Sequence, residues 1–281
     1  HRDLHSFPTR RSSDLNVPGP TRYPQSTWNS YALYISDQYR IIENFTLLGG
    51  LRYNIFNIDS KFDTTFYPFP YTKAEINNSA ISGSLGLIYK MEENWVASAN
   101  VSTAFRSPNV DDIGKVFDSS PGSVVVPNPD LKPEYAYNGD ISISKCFDEL
   151  LKIDLTCYYT LLKDAMVRRN YTLNGLDSIM YDGTMSQVQA IQNAAEARVY
   201  GVQLGFEFML PYNFKISSDF NYQKGEEELD DGSTSPSRHA PPYFGNTKLI
   251  YNANKLNLEL YAIYSGRSEE RRVGKECRSR W

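Results

Sequence analysis

Histidine and cysteine are scarce: three of each stand among 281 residues. His1, His5 and His239 with Cys146, Cys157 and Cys277 offer no set at the spacing of a zinc site, so neither metal nor cofactor is expected. Catalysis is not expected either. No G-x-S-x-G turn occurs, and His239 is the one histidine away from the N-terminus to serve as a base. No run of about 18 apolar residues is present, so no transmembrane helix is written into the chain. An excess of positive charge is missing as well: 29 basic against 33 acidic residues leave a formal charge of −4, which argues against nucleic acid as a partner.

The two ends need separate treatment. Residues 1–15, HRDLHSFPTRRSSDL, and 267–281, RSEERRVGKECRSRW, are arginine-rich and unlike the chain between them. With allowed codons, one is the reverse-complement translation of the other, and both resemble the adapter of common short-read sequencing libraries. The expectation is that residues 1–15 and 267–281 carry no fold and that 16–266 is an internal piece of a longer protein. Setting both ends aside removes nine basic and five acidic residues, leaving 20 against 28 and a charge of −8. Cys146, Cys157, His239, Trp28 and Trp95 are then the sole residues of their kinds.

What is abundant is aromatic: 21 tyrosines and 14 phenylalanines, a composition suited to strands. Period-two alternation recurs. In LKIDLTCYYTL, Leu151, Ile153, Leu155, Cys157, Tyr159 and Leu161 share one face, while Lys152, Asp154, Thr156, Tyr158 and Thr160 share the other. Similar alternation marks 95–105, 200–208, 214–222 and 256–262, and weaker strands fall near 28–36, 45–58, 79–90, 135–145 and 242–251. That makes ten candidate strands.

Their connections alternate in length. Short links near Asp37–Asn44, Met91–Asn94, Phe147–Leu150, Leu210–Asn213 and Asn252–Lys255 trade with long ones near 59–78, 107–134, 166–192 and 226–241. A soluble β-sandwich also alternates apolar and polar faces. Long strands and a regular switch in loop length favour instead an all-β, antiparallel transmembrane barrel with short periplasmic turns and long extracellular loops. Aromatics near strand ends (Tyr53, Phe56, Tyr89, Trp95, Phe105, Tyr159, Tyr222, Tyr264) read as interfacial girdles. A hairpin turn centred near Asp148–Glu149 places Cys157 opposite about Asp140, too far from Cys146 for a disulfide, with Cys157 facing lipid.

Two stretches carry a family resemblance. STAFRSPNVDDIGKVFD, Ser102–Asp118, and VPNPDLKPEYAYN, Val126–Asn138, resemble the barrel of TonB-dependent outer-membrane receptors, in which an F-R-x-P box ends one strand and an N-P-x-L-K-P-E box begins the next. Phe105, Arg106 and Pro108 match the first box. Asn128, Pro129, Leu131, Lys132, Pro133 and Glu134 match the second. LLGGLRYN, ARVYGVQLGFEF and SRHAPPYFGNTKLIY add to the likeness, in a style similar to receptors of Bacteroidota. The resemblance implies a partial barrel, about ten of 22 strands, in the outer membrane of a Gram-negative bacterium. It also implies the partners: outer-membrane lipids, an extracellular small ligand, and TonB acting through a plug domain outside this stretch. The implied ligand is a ferric siderophore, haem or cobalamin. The alternative is a non-transporting barrel that binds ligand at the surface or acts as an adhesin.

Prolines 108, 129 and 133 sit where ladder bonding must stop, and Pro133 forces Lys132 into extended geometry. Arg106 and Glu134 should then meet as an ion pair at facing strand ends, which makes the box residues architectural. Asp111 and Asp112, with Asp118, are candidates for a cationic ligand, although the spacing of a calcium loop is missing. Arg168 and Arg169, with Tyr171, are candidates for an anionic ligand or for lipopolysaccharide phosphates. Glu226–Asp231 reads as an acidic loop tip. Some haem receptors of the family carry a histidine between the boxes; Arg106–Asn128 has none.

Overall fold

The computed structural model describes residues 23–65, 72–114, 122–128, 130–181, 183–228, 233–236, 241–253 and 255–266. Both adapter-like ends, Pro129, Asp118, Asp231 and His239 lie outside the described residues. Thirteen strands and one short helix are described: β1 (Gln25–Ile42), β2 (Phe45–Lys61), β3 (Lys73–Lys90), β4 (Trp95–Arg106), α1 (Val110–Gly114), β5 (Ser123–Val125) and β6 (Glu134–Phe147). They continue as β7 (Leu151–Asn170), β8 (Ser178–Tyr181), β9 (Thr184–Leu210), β10 (Phe214–Glu228), β11 (Thr234–Pro236), β12 (Tyr243–Ala253) and β13 (Leu256–Ser265). Ten of these form one antiparallel path, β1-β2-β3-β4-β6-β7-β9-β10-β12-β13, and correspond to the ten strands expected from alternation. The sheet is open, ending at β1 and β13, as a partial barrel must be.

Short turns close one end. Glu93-Asn94 and Tyr212-Asn213 each place two successive residues at positive φ, the twist that joins antiparallel strands tightly. At the β6–β7 hairpin Phe147 pairs with Leu151, leaving a three-residue loop with Asp148 at φ 50°. That shifts the expected register by one: Cys157 faces Ile141 rather than Asp140. Parity explains the correction, because directly opposed residues share a face, and an aspartate opposite Cys157 would stand among lipid chains. Both cysteines are free thiols, and Cys157 is exposed opposite Ile141, which is exposed as well.

At the other end the strands run further than alternation indicated. β2 reaches Lys61, β3 starts at Lys73, and β7 and β9 extend through much of 166–192, pairing Asn170 with Gln189. The reason is a switch in polarity along each strand. On β2 the outward residues Leu51, Tyr53 and Ile55 give way to Asn57, Asp59 and Lys61. The inward residues switch the opposite way, from Arg52 and Asn54 to Phe56 and Ile58, which are 2% and 1% exposed. Below the switch the outside meets lipid and the inside meets water. Above it the outside meets water, and the inside is covered by Ile113 of α1, Val124 of β5, Val126 and Leu131. Phe56, expected in a girdle, therefore faces inward and stacks on Phe105 at 6.0 Å.

The outward band is bounded by aromatics on both sides. Near the short turns stand Phe45, Tyr89, Trp95, Phe214 and Tyr251, with Phe45–Tyr89 and Phe214–Tyr251 in contact. At the other border Tyr159 stacks on Tyr200. Lys145 lies over the Trp95 and Phe147 rings at 5.0 and 5.5 Å and donates to the Glu93 carbonyl, a snorkelling cation at the periplasmic interface. The opposite face is polar. Ser142 bonds Thr156 at 2.8 Å, Asn100 donates to Asp140, and luminal lysines pair with carboxylates as Lys152–Asp154, Lys215–Glu207 and Lys248–Glu259.

Candidate functional site

Strand β4 stops at Arg106 and β6 starts at Glu134, and the two are direct cross-strand partners. Pro108 and Pro133, both buried, end the ladder on either side, since neither can donate to it. Arg106 Nε donates to Glu134 Oε1 at 2.5 Å and Nη1 donates to Asp112 Oδ2 at 2.9 Å. The second oxygen of Glu134 accepts the Met166 backbone N–H at 2.9 Å, which ties the pair to a third strand, β7. Burial alone would lower the Arg106 pKa. The hydrogen bond to Glu134 and the charges of Asp112 and Glu134 outweigh it, so the pKa is raised and the guanidinium stays charged.

Asn109 starts the helix. Its Oδ1 accepts the N–H groups of Asp111 and Asp112, while its own N–H donates to Asp112 Oδ2. SPNVDD is a legible cap signal, with acidic residues in the first turn. One turn on, Ile113 plugs the apolar cluster beneath the loops.

The second box is held by two asparagines. Asn128 Nδ2 donates to the Ile191 carbonyl and its Oδ1 accepts from Asp130 N–H. Asn193 Oδ1 accepts the Lys132 N–H at 2.8 Å, and its Nδ2 donates to the carbonyls of Lys132 and Asp164, each at 2.9 Å. Asp164, at φ 56°, sits where the β7–β9 register shifts, so one side chain locks box to bulge. Leu131 is 1% exposed in the cluster, and its carbonyl accepts from Asn78. Nothing in QNAAEA distinguishes Asn193 in advance; a lone asparagine becomes a hub only through the pairing of distant strands.

The two arginine candidates do not act together. Arg168 pairs with Ile191 and Arg169 with Ala190, and successive strand residues point to opposite faces. Arg168 is exposed, whereas Arg169 shares the side of fully buried Ala190. Tyr171 packs against the apolar cluster. Asp112 is bound by Arg106, and Asp111 stands exposed on the helix. The aspartate candidates Asp111 and Asp112 thus stand on α1, and the arginine candidates Arg168 and Arg169 on β7 with Tyr171 just beyond it. Among the described residues no group of three or more His, Cys, Asp or Glu side chains could hold a metal ion. What the rim does chemically is close upon itself: both carboxylates facing Arg106 are spent on that cation and on backbone N–H groups.

Residues 2–275 match the family described as TonB dependent receptor-like, beta-barrel. The chain is 23% identical over 242 residues to the iron-regulated outer membrane virulence protein of Vibrio cholerae serotype O1 (El Tor Inaba N16961), covering 84% of this chain and 34% of that one. It is 25% identical over 202 residues to the heme/hemopexin utilization protein C of Haemophilus influenzae, covering 66% and 26%. In fold it resembles the siderophore receptor PiuA of Acinetobacter baumannii (TM-score 0.61, 18% identity, 85% of this chain and 33% of that one). It also resembles the copper transporter OprC (TM-score 0.64, 18% identity, 84% and 33%). The chain spans about a third of the length of the relatives it matches.

Proposed function

The chain belongs to the TonB-dependent receptor β-barrel family, and from that premise we propose that it is part of the barrel of a receptor importing a scarce extracellular ligand of the ferric siderophore, haem or cobalamin class. A member of this family is an outer-membrane receptor of a Gram-negative bacterium rather than an enzyme. Import would be driven by TonB through the plug domain of the whole protein. The observation that supports this reading is the inversion of polarity along the strands, which builds an apolar band for the bilayer below and a capped rim outside it. An iron-regulated relative, a haem/haemopexin utilisation protein and a siderophore receptor of like fold favour iron as the cargo.

The box residues Phe105, Arg106, Pro108, Asn128, Leu131, Lys132, Pro133 and Glu134 shape the rim in this reading and leave ligand contact to other loop residues. The test is uptake of radiolabelled iron, offered as siderophore complexes, by cells carrying the full-length gene under iron limitation. Accumulation should require both this gene and TonB. Equal accumulation in a strain without TonB would leave a passive barrel or adhesin as the function.

A further inference from the structure

On the lipid-facing side of the sheet one glycine stands bare. Gly139 of β6 lies between its direct partners, Val101 of β4 and Tyr159 of β7. Two other ladder glycines are covered by the tyrosine opposite them. A Cβ at Gly201 would stand 2.7 Å from the Tyr158 hydroxyl, and one at Gly245 would stand 2.6 Å from that of Tyr264. At Gly139 a Cβ would meet nothing within 4 Å, although a tyrosine is its partner too. Tyr159 turns the other way and stacks on Tyr200, with ring centroids 6.3 Å apart and planes at 17°.

The bare glycine opens a hollow of about 470 Å³ on the outward face. Small residues leave the space: Gly139 and, in the next row toward the periplasm, Ala99 and Cys157 on either side of Ile141. Leu85 and Val101, both exposed, bound it on one side and Tyr159 on the other. Asn100 and Asp140 also border it, but their side chains bond each other on the luminal face, so they lend it backbone alone. The hollow is therefore apolar. Above it the wall changes character. Lys163 points outward four residues beyond Tyr159, about 13 Å along the strand. Its side chain is 47% exposed, and the Glu196 carboxylate lies 3.7 Å away, too far for a hydrogen bond.

We infer that the hollow holds an acyl chain of a phosphate-bearing lipid of the outer leaflet, with the phosphate at Lys163 and the chain lying over Gly139. A glycine inside a strand marks the close approach of a ligand. Left empty, the hollow would forfeit dispersion contacts along its whole lining. The band around it already meets lipid, so the occupant comes from the bilayer. The three strands that form the site are consecutive along the sheet and turn it outward, away from the lumen. It therefore stands independently of what the barrel imports.

The test is native mass spectrometry of the full-length receptor titrated with phosphatidylglycerol in detergent, in which one lipid should bind well before the rest. Gly139→Leu fills the hollow from a position where a Cβ meets nothing, so the fold is kept. Heat-modifiable mobility in electrophoresis checks this. That variant should weaken the first site roughly tenfold, the equivalent of taking about two methylenes out of apolar contact. Lys163→Gln should weaken it about fivefold, as expected for one lysine near an anionic lipid head. Crystals grown with phosphatidylglycerol brominated in its chains should show bromine over Gly139. Equal binding by either variant, bromine absent from the hollow, or a Tyr159 ring closed over Gly139 would each overturn the site. So would a receptor dimer seated on the hollow and dissolved by Gly139→Leu, which would make a second copy the occupant.

Discussion

Replacing Arg106 by alanine removes the cation shared by two carboxylates, and the cost follows from what remains. Glu134 and Asp112 side chains are 12% and 15% exposed, so both would face each other, poorly solvated, without a counter-charge. Breaking a fully buried pair costs about 3–5 kcal/mol. Arg106 is 44% exposed, however, and exposed pairs contribute about 0.2–1 kcal/mol, so water will screen much of the effect and about 2 kcal/mol is the expected loss. Glu134→Ala strips the Met166 N–H of its acceptor, which costs about 1–3 kcal/mol, yet leaves Arg106 with Asp112. The double variant relieves the carboxylate repulsion, so it should be less destabilised than the two singles summed, by about 1 kcal/mol. The assay is urea unfolding of the full-length receptor in lipid vesicles, with folded yield in the outer membrane read by heat-modifiable mobility. Additive losses would refute the shared-cation reasoning. Normal folded yield with lost uptake in Arg106→Ala would make Arg106 a ligand residue instead of an architectural one.

Gly201→Ala should cut the folded yield, because a Cβ there would collide with the Tyr222 carbonyl and stand 2.7 Å from the Tyr158 hydroxyl, an overpacking worth about 1–3 kcal/mol. Tyr158→Phe, which keeps the ring and loses the bonds to Asn221 and Gln223, should be milder at about 1 kcal/mol in the same urea titration. Asn193→Ala should expose the segment around Lys132 to protease at the cell surface while the membrane band stays folded; unchanged cleavage would show that the asparagine is not the lock. Cys157 should resist a membrane-impermeant maleimide in folded receptor and react once unfolded, and rapid labelling in the folded state would place it off the lipid face. Amplifying the source locus across both junctions should replace residues 1–15 and 267–281 with unrelated sequence, whereas a clone retaining both would retire the adapter reading.

The strands were legible where one physical rule governs a whole segment. Between the girdles every outward residue meets lipid and every inward one meets the lumen, so Leu151 to Leu161 alternates without exception, and β7 could be read from its residues alone. The rule failed at the same height on β2, β3, β7 and β9; at the short-turn end it failed on β1, where residues 37–42, expected as a link, remain in the ladder with β2. Beyond Ile55 the outward positions become polar and the inward ones apolar, so a reader following one face sees the pattern end. The segments 59–61, 73–78 and 184–192 were therefore taken as loop although their backbones remain in the ladder. Phe56 fell to the same error: its spacing from Tyr53 suggests a girdle only if the number of residues between them is ignored. The hairpin slip at Asp148 has another cause, since the choice between a two- and a three-residue turn lies in φ, which side-chain pattern does not report.

The rim was half legible for a related reason. Residues that act through chain geometry leave local marks. Pro108 and Pro133 announce strand ends and bring Arg106 opposite Glu134 before any coordinates are known, whereas the helix that Asn109 caps is read as loop. Residues that act by joining distant strands leave none. Asn193 and the Met166 N–H matter because β7 and β9 meet beside β6, a fact of register set by many lipid-facing positions at once. The Arg52–Asn54 pair belongs to this second group. On β2 it reads as two more polar inward positions, and nothing in the sequence marks Arg52 Nε as the donor to Asn54 Oδ1 or Asn54 Nδ2 as buried without an acceptor among the described residues. In a barrel, where alternation assigns a face to every residue, the informative luminal residue is the one whose charge or hydrogen-bonding capacity its neighbours leave unmatched.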